Sequence, residues 1–387
     1  MALSKDGRTV AVGATGAYDN DDRPGYVKLY YKQFDVTGWN WKLAKTFTGD
    51  AIADRFGLSV SMSEDGKMLA IGAPGYNAKS DRPGYVRVFT RGDDDTWTQL
   101  GEDIMGEANG NESGISVSLS SDGKTIAIGA PLNNGIDGVM SGHARVYTVV
   151  EGDSGAGSVW KQVGQDIDGE AEYDLSGWSV SLSANGKTVA IGTPFNDEGG
   201  GLDAGHLRLY NLVDDVWKQI GHDINGENEE DRFGYSVSLS ADGRTVAVGA
   251  PWNAEKSGKV KVYVLDSSDS DDKWVQIGQD IIGDETGDEA GISVSLSADG
   301  KALTIGANLN DGNGNASGHV RVYRLVDSAD YLSWIQVGKD IFGANAEDLA
   351  GSSVSLSSDG NVVAVGSPYN DDNGDSSGHV RVFNMDE

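Results

Sequence analysis

The sequence predicts an all-β protein: a seven-bladed β-propeller of four-stranded antiparallel blades, the last blade lacking its outer strand. Three observations carry this. The stretch at residues 233–251, FGYSVSLSADGRTVAVGAP, returns along the chain with its turn glycine at Gly7, Gly66, Gly123, Gly186, Gly243, Gly300 and Gly360, in steps of 59, 57, 63, 57, 57 and 60. A period near sixty is too long for an ankyrin or tetratricopeptide unit and suits a blade of four strands with generous loops. Within each copy, Ser236, Ser238 and Ser240 alternate with Tyr235, Val237 and Leu239, the period of two expected of a strand. Asp242-Gly243 then interrupts the run, and two alternating segments joined across Asp-Gly predict a hairpin with a tight primed turn.

Each element of the unit follows in order. The second strand runs from Thr245 to Gly249 and stops at Ala250-Pro251, because proline has no N–H to give the ladder. An acidic, glycine-rich loop leads to a third strand, and a fourth opens with tryptophan, as in WVQIGQDI at residues 274–281. The expected content is four strands per unit and no helix. One repeat spanning the chain predicts a single propeller domain over 1–387, with approximate blades at 1–49, 50–106, 107–169, 170–226, 227–283, 284–343 and 344–387. The first unit begins at the tail of its SVSLS strand, and its loop holds Asp19, Asn20, Asp21 and Asp22. The third carries an insertion at residues 151–158. The seventh shows no Trp-led strand, so Gly378, His379, Val380, Arg381, Val382 and Phe383 are expected to form an unpaired edge, a template for strand addition by a partner.

Phe56-Gly57 with Gly72-Ala73-Pro74, and Phe233-Gly234 with Gly249-Ala250-Pro251, resemble the FG-GAP repeat of the integrin α-subunit propeller, and the texture is also similar to that of bacterial and algal surface repeat proteins. The resemblance runs through all seven units and implies an extracellular or cell-surface adhesion role. It also implies calcium in a loop of type D-x-D-x-D-G-x-x-D between the first two strands. Here that loop is reduced to Ser-x-Asp-Gly, as at Ser63-Glu64-Asp65-Gly66, with too few carboxylates for an ion that takes six to eight oxygens.

Composition narrows the function. Sixty acidic against thirty basic residues give a formal charge of −30. Such a surface repels nucleic acid and favours cations, basic partners or neutral glycans. Cysteine is absent, which excludes disulfides and thiolate metal sites. No apolar run approaches the roughly 18 residues of a membrane span, and no signal sequence is visible.

The candidate sites lie on the acidic loops. Asp371, Asn373 and Asp375 show every-other-residue oxygens around a glycine, as calcium loops do, and Asp311 and Asn313 repeat the pattern one unit earlier. Asp54, Asp174, Asp231, Asp288 and Asp348 each stand three residues before the glycine that starts a first strand, with Asn111 in the sixth place, and this recurrence reads as backbone capping. Asn111 and Asn315 head glycosylation sequons. The once-per-unit tryptophans read as filling between blades, the SVSLS serines as packing, and His143, His206, His319 and His379, at the start of third strands, as structural. The leading expectation is a non-enzymatic interaction module binding protein or polysaccharide at the acidic loop face, or packing in a surface assembly. The alternative is a carbohydrate-active enzyme using paired carboxylates, with Trp178 and Trp252, outside the repeated Trp position, as the places for a sugar platform.

Overall fold

A computed structural model describes residues 1–16, 24–36, 38–75, 83–136, 138–152, 157–268, 272–328 and 332–385. Most of the first blade's acidic loop, including Asp19 to Asp22, and residues 153–156 of the third blade's insertion lie outside them. The architecture is the expected seven blades of a β-propeller, six of them antiparallel sheets in the order first, second, third, fourth strand and the seventh with its first three among the described residues. By contacts the chain divides into two compact units, residues 1–187 with 212–217, and residues 188–211 with 218–387.

In the first unit the opening strand of blade one is only Ala2–Leu3, paired to Thr9–Ala14, whereas that of blade three is Ser116–Leu119. In the second unit blade five runs Ser236–Leu239, Thr245–Ala250, Lys259–Asp266 and Lys273–Gln276, with Ile281–Ile282 returning to the third strand. The outer strand is split there around Gly278, which sits at φ +71°. Blade six keeps one long outer strand, Leu332–Phe342, with its register shift between Val320 and Val322. Blade seven has three strands among the described residues: Ser353–Leu356, Val362–Ser367 and His379–Asn384.

Second strands such as Thr188–Thr193 and Ala302–Ala307 are buried at every position, since layers cover both faces of each sheet. The core is therefore a series of layers between successive sheets. Leu29, Phe47, Phe56, Leu69 and Ile71 fill one in the first unit, and Val262, Leu296, Leu303, Ile305 and Trp334 another in the second. Two glycines set how closely sheets approach. A Cβ on Gly249 would stand 2.1 Å from the carbonyl oxygen of Gly291, the first-strand glycine of the next blade, itself at φ +91°. That contact is the physical content of the paired FG and GAP motifs, for only glycine lets the two backbones touch.

Two expectations are corrected. The Asp-Gly hairpins are not two-residue primed turns. Gly243 N–H bonds the Ser240 carbonyl at 3.0 Å, and Ser240 N–H bonds the Thr245 carbonyl at 2.8 Å, so the loop holds four residues with its glycine at φ +73°. The Ser240 hydroxyl donates to Asp242 at 2.6 Å and accepts from Thr245 N–H at 2.9 Å, which stabilises the longer turn. The expectation of no helix also fails at one place: Asn253–Lys256 forms a single turn, left-handed at Ala254 (φ 51°) and Glu255 (φ 57°).

Candidate functional site

The third strands carry a repeated charge station built from sequence-distant residues. In blade two, Arg87 donates Nε and Nη2 to Asp103 at 2.7 Å each, and Nη1 and Nη2 to Asp50 at 3.2 and 2.5 Å. Asp103 belongs to the blade's own outer segment and Asp50 to the linker before the blade. In blade six Arg321 repeats this with Asp340, at 3.0 and 2.8 Å, and with Asp284. Both guanidiniums are held above their ordinary value by these hydrogen bonds. Blade five uses lysines: Lys261 donates to Glu227, and Lys259 reaches Glu227 at 2.9 Å and Asp280 at 3.4 Å. Those two ammonium groups push the Glu227 carboxyl down to about 2.

Blade three adds a histidine. The His143 Nδ1 lies 4.0 Å from Glu107, 3.9 Å from Asp166 and 3.9 Å from Asp168, and its side chain is 1% exposed. Burial, then the nearby Arg145, lower its pKa to about 4, so the ring is neutral at pH 7. Glu107, His143 and Asp166 offer one nitrogen and two carboxylate oxygens within 4.8 Å of one another, a donor set suited to a divalent cation. Arg145 Nη1, 3.4 Å from Glu107, competes for one of those oxygens.

The capping aspartates do what their spacing implies. Asp54 accepts from Ala51 N–H at 3.0 Å, Asp174 from Ala171 at 3.1 Å, Asp231 from Asn228 at 3.1 Å, Asp288 from Glu285 at 3.1 Å and Asp348 from Asn345 at 3.0 Å. Their partners were missed. Asn253, Asn310 and Asn370 donate from Nδ2 to Asp231 at 2.8 Å, Asp288 at 3.0 Å and Asp348 at 3.1 Å. The signal was available as an asparagine recurring three residues after the second-strand alanine or serine. Asn111 occupies the equivalent slot at 5% exposure, which corrects its reading as a glycan acceptor: the folded blade closes it to a glycan. Asn315 is exposed.

Of the calcium candidates, Asp371 and Asp311 each accept a backbone N–H, from Ser376 and Ala316, both at 2.7 Å. Asn313 turns its amide to the carbonyls of Gly343 and Ala344, at 2.8 and 3.1 Å, while Asn373 and Asp375 are exposed. Trp252 does not present an open platform, because the Arg232 guanidinium lies 3.2 Å from the ring centroid and the Lys256 ammonium 4.2 Å. Trp178 is half-buried. The SVSLS serines stitch adjacent blades: Ser236 donates to the Gly291 carbonyl at 2.7 Å, and Ser238 accepts from Leu296 N–H at 2.9 Å. Each later tryptophan reaches the outer strand before it, Trp160 bonding the Leu100 carbonyl at 2.8 Å and Trp334 that of Ile277 at 3.1 Å.

Residues 225–265 match the FG-GAP repeat family model, so the resemblance holds. No curated protein sequence matches the chain. Solved structures share its fold. Hydrazine synthase of Kuenenia stuttgartiensis is 15% identical with a TM-score of 0.57, covering 99% of this chain and 94% of that one. The periplasmic gluconolactonase PpgL of Pseudomonas aeruginosa is 16% identical with a TM-score of 0.58, over 97% and 92%. Sqt1 of Chaetomium thermophilum, bound to the N-terminus of the ribosomal protein L10, is 17% identical with a TM-score of 0.57, over 99% and 84%. At these identities the likeness is one of fold. It still corrects the expectation that the chain is not an enzyme, because the same architecture serves a gluconolactonase as well as a peptide-binding protein. Among the described residues, no helix is long and apolar enough to cross a membrane.

Proposed function

We propose that this FG-GAP β-propeller is an interaction module of the cell surface or extracellular space that takes a basic protein partner on its carboxylate-rich loops. The observation that carries the reading is where the charges sit. Arg87, Lys259, Lys261 and Arg321 are spent inside the stations, with side chains only 9–15% exposed. Glu229, Glu230, Glu285, Glu347, Asp371, Asp372 and Asp375 stay exposed on loops. A chain of formal charge −30 whose third-strand cations are sequestered projects negative potential from those loops, which steers cationic partners. Sqt1, a propeller of the same fold, takes a polypeptide N-terminus. Calorimetric titration with a lysine-rich peptide tests the reading. Binding at 50 mM salt that weakens about tenfold at 300 mM, and falls again in Glu229→Lys/Glu230→Lys, is the expected result. Undetectable heat, or binding indifferent to salt and to the charge reversal, overturns it.

A second reading is lactone hydrolysis, favoured by the Glu107, His143, Asp166 cluster together with the fold shared with PpgL. It predicts acid release from gluconolactone that depends on added divalent metal and disappears in His143→Ala. The loop of Asp371, Asn373 and Asp375, with Asp311 and Asn313 in its counterpart, is read as a calcium site; a melting midpoint that a chelator leaves unchanged removes calcium.

A further inference from the structure

The station of blade three carries a charge imbalance that the station of blade five does not. In blade five two carboxylates, Glu227 and Asp280, face two ammonium groups, with Lys259 between them at 2.9 and 3.4 Å and Lys261 beside it. Blade three keeps the two carboxylates as Glu107 and Asp166, but His143 holds the place of Lys259, and its ring is neutral at pH 7. It also adds a third carboxylate. Asp168 is the ladder partner of His143, where Ile282 partners Lys259. Three carboxylates therefore meet one guanidinium, that of Arg145, so the station is two unit charges more negative than its counterpart in blade five. That deficit is the charge of one divalent cation.

The side chains are also aimed. Arg145 turns Nη2 to the Met105 carbonyl at 3.0 Å and Nη1 toward Glu107 Oε1 at 3.4 Å, in place of the paired grip that Arg87 keeps on Asp50 and Asp103. Gln162 donates to Asp166 Oδ1 at 2.6 Å, and Asn133 approaches Glu107 Oε2 at 3.3 Å. The oxygens that face the ring are Glu107 Oε2, Asp166 Oδ2 and Asp168 Oδ1, at 4.0, 3.9 and 3.9 Å from His143 Nδ1. These gaps are too long for hydrogen bonds. The ring is 1% exposed, and its other nitrogen, Nε2, is buried with no partner among the described residues. A buried imidazole left unanswered and turned toward three carboxylates costs stability as it stands. A tetrahedral ion with legs of about 2.1 Å holds its donors about 3.4 Å apart, so the oxygens need close by only about 0.5 Å. Glu107, Asp166 and Asp168 are partly exposed and free to make that movement at little cost in packing.

We propose that Glu107, His143, Asp166 and Asp168 bind one divalent transition metal of the zinc class, and that the ion clasps the exit linker of blade two to the sheet of blade three. Glu107 comes from the linker after Ile104–Met105, His143 opens the third strand His143–Glu151, and Asp166 and Asp168 come from the outer segment at Ile167–Asp168. One imidazole nitrogen among carboxylates selects zinc, cobalt or nickel over calcium and magnesium, which take oxygen ligands. Gln162 and Asn133 hold the carboxylates from behind, as outer-shell donors do. The ion brings to blade three the positive charge that Lys259 brings to blade five. The clasp does not rest on lactone hydrolysis, although that reading uses the same cluster: metal taken up with no acid release keeps the clasp and removes the hydrolysis.

Zinc chloride, and separately calcium chloride, is titrated into the chelator-stripped full chain while the imidazole nitrogen resonances and the melting midpoint are followed. The His143 resonance, assigned by its loss in His143→Lys, should shift with zinc and not with calcium, and the midpoint should rise with zinc because the ion binds the folded state. Affinity read from that resonance should fall at least tenfold in Glu107→Gln and in Asp166→Asn, and stay as in the parent in Asp371→Asn, on a loop of blade seven. His143→Lys rebuilds the blade-five arrangement, so it should melt at or above the metal-free parent and gain less from zinc. Should that variant fail to fold, His143→Gln supplies the assignment. A His143 resonance that zinc leaves in place, a shift that calcium matches, or an affinity unchanged in both Glu107→Gln and Asp166→Asn each overturns the proposal. So does a folded His143→Lys chain whose midpoint rises with zinc as far as the parent's.

Discussion

Blades six and seven share the third-strand residues His-Val-Arg-Val, at His319 to Val322 and His379 to Val382, yet the two strands live in different surroundings. In blade six His319 and Val320 are buried and Arg321 is gripped by Asp284 and Asp340. In blade seven every one of the four is half-buried, and Arg381 falls back on a carbonyl. The local sequence is the same, so the difference comes from the strand laid outside it and from one linker residue, Asp284 against Ala344. What the comparison teaches is that a charge in a sheet is stabilised by its neighbours in space, and that the same arginine changes from an asset to a cost when they are withdrawn.

The largest expected effect separates the side chains that lie over Gly278 and Gly338, Trp334 and Met385. Trp334 is 2% exposed, donates to Ile277, and has its backbone clamped by Gln279 at 3.0 and 2.7 Å. Trp334→Ala should lower unfolding free energy by about 3–5 kcal/mol in denaturant titration. Met385→Ala, its counterpart over Gly338, should cost under about 1.5 kcal/mol because the methionine fills that seat loosely. Equal losses would break the comparison.

Next come the arginines. Arg321→Met leaves Asp284 and Asp340 facing each other without their cation and should cost about 1–3 kcal/mol, the lower end reflecting solvent screening of half-exposed Asp284. Arg381→Met should be neutral or stabilising by up to about 1 kcal/mol, since it removes a partly buried charge that has no carboxylate within ion-pair distance among the described residues and only Asp348 acting on it from farther off. A large loss at Arg381 would mean that its bond to Phe342 outweighs its desolvation.

The smallest effect is on pH dependence. His319 and His379 both titrate below their ordinary value, first because of burial and then because of the adjacent arginine. The unfolded chain takes up these protons near pH 6.5 and the folded one only at lower pH. Each neutral histidine therefore contributes stability that is full above 6.5 and is lost as pH falls through the window below it. The acid limb of the stability curve should flatten in His319→Gln more than in His379→Gln, because the blade-seven ring is the more exposed. His206 and His143, pushed down to about 3 and about 4 by burial and then by the adjacent arginine, should have broader windows. A steeper limb in either variant would reverse the sign argued here.

Much of the fold was legible because a seven-fold repeat prints its geometry in spacing. The turn glycines marked the hairpins, and the capping aspartates were readable because one residue type held one offset before each first-strand glycine. The tighter turn was misjudged, since Asp-Gly alone does not reveal that the serine two residues earlier accepts Thr245 N–H and lengthens the loop. The glycosylation reading of Asn111 failed for a related reason: a three-residue motif carries no information about burial.

The sequence by itself determined the strand pattern and the number of blades, because period-two alternation and turn chemistry act over a few neighbouring residues. Only the tertiary structure decided which charges meet. Arg87 finds Asp50 from 37 residues away, and Asn253 finds Asp231 from 22. Trp252, free to be a platform on paper, is covered by Arg232. Electrostatic partnership depends on distances of a few ångströms between residues far apart in the chain, and these are set only when the sheets pack.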